Sequence, residues 1–388
     1  MSRRNRAFRK YKRDRSDENW AEYKKMRNRS TLDHLNFSSL SVRWVSAYLK
    51  GRRQAIRAAQ SFSDWCELEA GVPQGGILSP LLFSLFINML SSYLHSSYHF
   101  YADDLQLYKH SNIQNLDDAI GSLNNDFAQL HTWSEHFGIS VNPDKCQAII
   151  IGSSRRLCKV DFANLTPLLY NGSSIPFSQT VKDLGLLIDS KLSWSPQINE
   201  VSRKFYASLH SVIRFKNFLP MSTKISLVNT LLLPIIDYGD ICYLDVSEDY
   251  LNKLDRLLNT CIRFIFGLRK YDHVSEYRSK LKWLRIRDRR NARILGLLYS
   301  ILNDPKSPVY LKSLFKLQED AHNLNLRSTD SGLLAMPKHT TSFRDNSFGV
   351  VAVRLWNQLP PKIRKATSKE VFKKLVREHY YNNPSKLV

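Results

Sequence analysis

Two adjacent aspartates, Asp103 and Asp104, are the residues of this sequence best suited to chemistry. They follow Tyr101 and Ala102 in the segment 99–109, whose alternating apolar residues predict two short strands joined by a tight turn. We expect the two aspartates to form the tip of this turn, where neighbouring carboxylates repel each other and where a turn selected for folding alone favours Asn-Gly or Asp-Gly. Mg²⁺ offsets this repulsion, because it binds one or two carboxylates together with substrate phosphates. The pair therefore predicts metal-dependent phosphoryl transfer, with an acidic surface turn as the alternative.

A loop, two helices and a strand must position this pair. Residues 71–76 read GVPQGG, a loop rich in chain breakers, and they precede an apolar helix that runs to residue 90. Apolar spacing predicts a helix at 116–137, which Gly138 ends, and a buried strand at 146–151.

The charge of the chain points to a polyanionic partner. The 388 residues include 57 Lys and Arg against 35 Asp and Glu, which gives a net charge of +22 at pH 7. Twelve of these cations lie in residues 1–30 and ten in residues 261–290, and aromatic residues are interleaved in both stretches. Nucleic-acid phosphates would neutralise such clusters. Solvated basic helices whose aromatic residues face a core are the alternative.

Several ordered motifs resemble those of the reverse transcriptase family, in particular the polymerases of non-LTR (LINE-type, jockey-like) retrotransposons. The segments that carry the resemblance are 71–83 (GVPQGGILSPLLF), 101–104 (YADD), 138–146 (GISVNPDKC), 181–186 (VKDLGL) and 348–364, which contains RLWNQLP. The resemblance covers roughly residues 31–380. It implies RNA-directed DNA synthesis with an RNA template, a DNA primer and dNTPs.

The resemblance also implies a role for each motif. It implies that Asp103 and Asp104 hold catalytic Mg²⁺, or Mn²⁺ in its place, for two-metal transfer of a nucleotide onto the primer 3′ end. It implies that Lys145 protonates or neutralises the pyrophosphate leaving group and that Leu184 and Gly185 form the primer grip. The nucleotide- and template-binding residues that it implies are Gly71, Pro73, Gln74, Gly75, Tyr101 and Ala102. An ordinary helix-entry turn, a surface lysine and a tight hairpin are the structural alternatives for these motifs.

One family motif departs from its usual pattern. The first catalytic aspartate of the family lies in a segment like Phe-Asp-x-Val-Asp-His. Asp33 and His34 match the end of that segment, whereas Ser30 stands where the aspartate is expected. The fingers motifs upstream are missing as well, so the resemblance implies either an internal deletion or a gene model that skips part of the coding sequence. A non-catalytic RNA- or DNA-binding remnant of such a polymerase is therefore the alternative function.

Membrane insertion and secretion are not predicted. The most apolar segment, 78–90, is shorter than a membrane span and carries polar residues, and the N-terminal residues lack the apolar region of a signal peptide. The five cysteines are widely spaced and form no CxxC pair, so neither a zinc site nor a disulfide framework is indicated. We expect an intracellular protein of the nucleus or cytoplasm.

The expected fold is α+β: a reverse-transcriptase palm with an antiparallel sheet and packed helices, most of the fingers missing, and helical segments after it. We expect a basic connector at 1–30, a truncated fingers and palm region at 31–192, a helical thumb-like region at 193–318 and a C-terminal segment at 319–388. A strand-like stretch after residue 343 precedes a last helix at 368–379. The sequence does not determine the oligomeric state. It also leaves open whether the chain has a partner, either a full-length copy or another protein encoded by the same element.

Overall fold

The computed structural model describes residues 35–68, 71–318 and 332–385. These residues divide into two compact units. The first comprises the described residues up to Ala148 together with 155–177, and the second comprises 149–154 together with the described residues from 178 onward. The predicted connector at 1–30, which includes Ser30, and the pair Asp33-His34 lie outside the described residues.

The first unit contains helices and short antiparallel strands. Its elements are α1 (Ser39–Leu49), β1 (Arg52–Gln54), β2 (Arg57–Ala58), β3 (Ser61–Phe62), β4 (Cys66–Leu68), α2 (Ser79–Ile87), β5 (Ser97–Tyr101), β6 (Asp104–Tyr108), α3 (Leu116–Phe137), α4 (Ser154–Leu157), β7 (Leu168–Tyr170) and β8 (Ser173–Ile175). Three 3₁₀ helices, Asn88–Tyr93, Ile113–Asn115 and Pro143–Lys145, connect some of them.

The helix α3 organises the core of the first unit. It occupies the predicted range 116–137, with Asp117 and Asp118 in its first turn, where carboxylates favour the helix dipole. Gly138 ends it in the left-handed conformation with φ 65°, which glycine adopts without steric cost. Trp133 and Phe137 on its buried face pack with residues of α2, β5, β6, β7 and β8 into one apolar core.

The strands form small separate sheets rather than one larger antiparallel sheet. In the described residues each strand pairs antiparallel with one other, as β1–β4, β2–β3, β5–β6 and β7–β8 and, in the second unit, as β9 (Thr180–Asp183) with β10 (Leu186–Asp189). The prediction of a strand at 146–151 is wrong, because only Ala148 makes a β-bridge, to Phe177. The chain leaves the first unit directly after Ala148, so the apolar run there has no continuous partner strand.

The second unit is mainly helical. Its elements are β9 (Thr180–Asp183), β10 (Leu186–Asp189), α5 (Ser195–Ile213), α6 (Met221–Leu227), a π-helical turn (Val228–Leu232), α7 (Leu233–Asp237), α8 (Glu248–Phe266), α9 (Ser275–Lys280), α10 (Ile286–Asn303), α11 (Val309–Lys312), α12 (Ser342–Asp345), α13 (Phe348–Gln358), α14 (Pro361–Arg364) and α15 (Lys369–Asn382).

Two apolar clusters stabilise the second unit. One joins β10, α5, α7 and α8, and the other joins α10, α13 and α15. The prediction of a strand-like stretch after residue 343 is wrong, because α12 and α13 occupy it. Val350, Val353 and Trp356 are buried at intervals of three residues, which matches one face of a helix rather than a strand. Within the part of the chain that the structure describes, no helix is both long and apolar enough to cross a bilayer.

Candidate active site

The two aspartates lie at the turn of the hairpin β5–β6. The register pairs Tyr101 with Asp104 and Phe100 with Leu105. The two residues between the strands are therefore Ala102 and Asp103, and Asp104 is the first residue of β6. The sequence prediction that Asp103 and Asp104 together form the tip is wrong by one residue. Ala102 takes the positive φ of the turn, 55°, which costs a residue with a Cβ some free energy.

The hairpin has one apolar face and one exposed face. Phe100 and Leu105 pack against the core of the first unit, whereas Tyr101 is 66% exposed and both aspartates are exposed. Because side chains alternate along a strand, Asp104 lies on the same face as Tyr101. Neither carboxylate has an ion pair or side-chain hydrogen bond with another described residue. The apolar face thus fixes the hairpin, and the two carboxylates are accessible to a ligand.

A buried carboxylate on α3 fixes the start of this hairpin. Asp126 is fully buried, and its two oxygens accept hydrogen bonds from the backbone N–H groups of His95 and Ser96 at 2.8 and 2.9 Å. Burial alone would raise the pKa of Asp126, but the hydrogen bonds from Ser96 and His95 outweigh it and lower the pKa. Sequence reasoning missed this residue. The available signal was a carboxylate placed seven residues before Trp133, on the apolar face of the helix.

The loop 71–76 is held as a compact turn before α2. Ser79, at the start of α2, donates its hydroxyl to the carbonyl oxygen of Pro73, and the N–H of Gly76 donates to the same oxygen at 3.2 Å. Gly71 and Gly75 have φ values of 80° and 77°, a region that glycine occupies readily. The Gln74 side chain is exposed beside Gly75.

The loop and the aspartate turn share a core rather than a direct bond. The loop leads into α2, whose residues Phe86 and Ile87 pack in the same apolar cluster as Phe100 and Leu105. Among the described residues, no hydrogen bond or ion pair joins residues 71–76 to the turn at Ala102 and Asp103. The structure therefore places both motifs on elements of one unit.

Lys145 belongs to the same unit as the aspartates. It ends the 3₁₀ helix Pro143–Lys145, which Asn142 caps by accepting a hydrogen bond from the N–H of Asp144 at 3.0 Å. The Lys145 side chain is exposed, and the next residue, Cys146, packs on the core of the unit. The lysine is therefore anchored through its backbone while its ammonium group is accessible.

The turn at Leu184 and Gly185 lies in the second unit, between β9 and β10. Both residues have positive φ, 44° and 86°, the combination that a type I′ hairpin turn requires. The hydroxyl of Tyr238 donates to the carbonyl oxygen of Leu184 at 2.6 Å. A Cβ added to Gly185 would lie 3.3 Å from Cε1 of the same tyrosine. The turn is therefore fixed by a neighbouring aromatic ring.

Replacing Gly185 by alanine is expected to destabilise the second unit by roughly 1–2 kcal/mol, because alanine disfavours positive φ and its Cβ crowds Tyr238. Urea unfolding of the full chain measures this change. Leu184→Asn is the matched control, since asparagine tolerates positive φ, and its free energy of unfolding is expected to stay within about 0.5 kcal/mol of the wild type. Equal stability of the two variants would contradict the strain at Gly185.

The residues at the hairpin turn fit a divalent cation. Asp103 and Asp104 supply hard oxygen ligands without a competing cation, and Mg²⁺ is commonly held by one or two carboxylates with water and substrate phosphates. Over residues 35–68, 71–318 and 332–385 the structure has no group of three or more His, Cys, Asp or Glu side chains placed to hold a metal ion. The described residues thus offer two carboxylates, and substrate oxygens would complete the coordination.

Comparison with protein families identifies the segment of the chain that carries these motifs. Residues 21–188 match the family described as reverse transcriptase (RNA-dependent DNA polymerase). That segment contains the loop 71–76, the aspartate turn, Lys145 and the turn at Leu184 and Gly185. The match covers less than half of the chain, and over this segment it confirms the resemblance to reverse transcriptases that the motifs predict.

Individual relatives come from mobile elements of flies. The chain is 26% identical over 260 residues to the RNA-directed DNA polymerase from mobile element jockey of Drosophila melanogaster, which covers 63% of this chain and 27% of that protein. It is 24% identical over 231 residues to the probable RNA-directed DNA polymerase from transposon X-element of the same species, covering 58% and 24%. The chain thus spans about a quarter of the length of the curated relatives it matches.

Proposed function

We propose that this chain is an RNA-directed DNA polymerase of a non-LTR retrotransposon, acting on an RNA template, a DNA primer and dNTPs. The observation that carries the proposal is the exposed, unpaired aspartate pair on the β5–β6 turn, inside the segment that matches the reverse transcriptase family. Related proteins named as RNA-directed DNA polymerases support the same activity.

The proposed chemistry assigns work to the chain's own residues. Asp103 and Asp104 would hold Mg²⁺, which when bound supplies positive charge for activating the primer 3′ hydroxyl and stabilising the transferring phosphate. Lys145 carries an exposed ammonium that would neutralise the leaving pyrophosphate. On the exposed face of the hairpin, the small side chain of Ala102 would leave room for the nucleotide, and the ring of Tyr101 would pack against the primer end.

The loop and the second turn would place the nucleic acid. Gly71, Pro73 and Gly75 present little side-chain bulk, so a template strand and nucleotide could approach the backbone, and Gln74 would contact the template side. Leu184 and Gly185 would position the primer strand. In this scheme residues 31–192 act as truncated fingers and palm, 193–318 as a thumb-like region and 319–388 as a C-terminal segment, after a connector at 1–30.

A second candidate function follows from Ser30. Serine is neutral and a far weaker ligand for Mg²⁺ than a carboxylate, and it stands at the position of the family's first catalytic aspartate. Such a chain would keep its nucleic-acid binding and lose the chemistry. An internal deletion upstream of residue 31, or a gene model that skips sequence there, would account for this position and for the missing fingers motifs.

Primer extension by the full chain tests the two candidates. The assay combines an RNA template annealed to a labelled DNA primer, dNTPs, and Mg²⁺ or Mn²⁺, and it is run beside a binding titration with the same primer–template. Extension that requires the divalent cation supports the polymerase. Tight binding without extension supports the non-catalytic remnant, and the absence of both in a cooperatively folded chain contradicts both proposals.

A further inference from the structure

A basic stripe runs along the last helix, outside the segment that matches the reverse transcriptase family. Lys369, Lys373, Arg377 and Tyr381 follow one another on α15 at intervals of four residues, and all four are exposed. Residues four apart lie on neighbouring positions of one helix face, about 6 Å apart along the axis. We call these four residues the α15 stripe.

Contacts with α9 and α10 fix the position of the stripe. The guanidinium of Arg377 donates a hydrogen bond to the backbone carbonyl oxygen of Lys282 at 3.1 Å. The hydroxyl of Tyr381 donates a hydrogen bond to the backbone carbonyl oxygen of Ser279 at 3.4 Å. A Cβ added to Gly296 would lie 3.7 Å from Cε of Lys373, so the stem of this lysine lies over α10. The exposed Lys282 thus adds a fourth cation beside the stripe.

The distribution of acids sets this face apart from its neighbours. The two glutamates of α15, Glu370 and Glu378, lie four residues before and after Lys374, and the stripe itself contains no acid. On α9, Lys280 is already paired with Glu276 at 2.6 Å. Lys369 also stands in the first turn of α15, where the helix dipole disfavours a cation. Helix stability therefore does not explain the cation at Lys369.

We propose that the α15 stripe, with Lys282, binds the backbone of single-stranded RNA and that a base stacks on Tyr381. Regularly spaced exposed cations with an aromatic ring among them match the way proteins hold single strands, by phosphate contacts and base stacking. An acidic polypeptide would satisfy the cations but gain nothing from the ring. The choice of RNA over DNA rests on the proposed function, whereas the surface itself needs no catalytic residue.

Salt dependence of binding tests the cations. The full chain is titrated with a short labelled single-stranded RNA between about 50 and 200 mM salt, and log K is plotted against log salt. The triple variant K369Q/K373Q/R377Q is expected to reduce the magnitude of the slope by about two, since each lost phosphate contact removes about 0.7. At low salt its affinity is expected to fall by about tenfold or more.

The matched control removes the same charge elsewhere in the second unit. K306Q/K362Q/K374Q changes three exposed lysines outside the stripe and is expected to keep the wild-type slope. Thermal unfolding checks that both triple variants are folded. If both triple variants lose the same amount of salt slope, binding follows net charge alone and the proposal is overturned. An unchanged salt slope in K369Q/K373Q/R377Q would also overturn it.

Tyr381 separates RNA from an acidic protein. Tyr381→Leu is expected to weaken RNA binding by about tenfold with no change in salt slope, because it removes stacking and no charge. Two results would instead assign the surface to an acidic polypeptide and overturn the proposal. One is that polyglutamate competes with RNA at equal charge concentration, and the other is that Tyr381→Leu binds RNA with wild-type affinity. Single-stranded DNA of the same sequence, if bound tighter than RNA, would overturn the choice of RNA.

The inference about the α15 stripe and the proposed polymerase function can be contradicted independently of each other. Asp118→Asn removes an exposed carboxylate of the other unit that has no role in the proposed site, and it is expected to leave the salt slope for single-stranded RNA unchanged. A chain that never extends a primer but loses slope in K369Q/K373Q/R377Q contradicts the proposed function and supports this inference. The reverse result, extension with no effect of the stripe variant on RNA binding, contradicts the inference alone.

Discussion

Asparagine in place of Asp103 is expected to lower the rate of primer extension by about a thousandfold or more. The change preserves the size of the side chain and removes the negative charge that would hold Mg²⁺ at the β5–β6 turn. Because Asp103 is an exposed turn residue without an ion pair to another described residue, its replacement should leave stability within about 0.5 kcal/mol of the wild type. Single-turnover primer extension and urea unfolding, measured side by side, check both halves of this prediction.

Asp118→Asn is the matched control for this variant. Asp118 is also exposed in the first unit, in the first turn of α3, and it is remote from the proposed chemistry in sequence. We expect the control to retain wild-type extension and to lose about 0.3–1 kcal/mol of stability through the helix dipole. If Asp103→Asn extends primers as fast as Asp118→Asn, the aspartate turn is not the catalytic centre.

Local patterns in the sequence predicted the parts of the fold that depend on local physics. The helix 116–137 was exact, because its apolar period, its acidic first turn and Gly138 all agree. The strand–turn–strand at 99–109 was also identified from alternation alone. The register of the turn was not predicted correctly. The two aspartates suggested a tip at Asp103 and Asp104, whereas Phe100 and Leu105 must both face the core. Burial of that pair moves the turn to Ala102 and Asp103.

Long-range pairing could not be predicted from local patterns. The apolar run at 146–151 has the composition of a buried strand, but a strand also needs a neighbour, and only Ala148 finds one. The candidate site shows the same limit. Its motifs were visible as residues in order, yet the capping carboxylate of Asp126 reaches residues about thirty positions earlier, which no periodicity encodes.

Asp126→Asn is expected to destabilise the first unit by roughly 2–4 kcal/mol. Both carboxylate oxygens of the fully buried Asp126 accept backbone N–H groups, and hydrogen bonds to a charged acceptor are worth about 1.5–3 kcal/mol each. An asparagine keeps one acceptor oxygen, but its amide N–H₂ group faces the second backbone donor. The N–H groups of His95 and Ser96 then lack a shared anchor, and β5 loses the contact that fixes its start.

Amide hydrogen exchange measures this effect at the backbone N–H groups of the hairpin. In the full chain, the amide of Ser96 and the segment 97–108 are expected to exchange faster in Asp126→Asn than in the wild type, while residues of the second unit keep their protection. Asp118→Asn, on the same helix, serves as the control for a carboxylate-to-amide change at an exposed position. Wild-type protection over 95–108 in Asp126→Asn would show that the cap does not hold the hairpin.

The stability that Asp126 contributes should also depend on pH in a defined direction. Because the folded pKa of Asp126 lies below its unfolded value of about 4, the ionised form stabilises the fold fully above that pH, and the contribution is lost as pH falls through the folded pKa. The difference in unfolding free energy between wild type and Asp126→Asn is therefore expected to be constant near neutrality and to shrink below about pH 4. A difference that grows on acidification would require a raised pKa at Asp126. The hairpin that carries Asp103 would then be anchored through a protonated acid, which offers its oxygens more weakly to the two N–H donors.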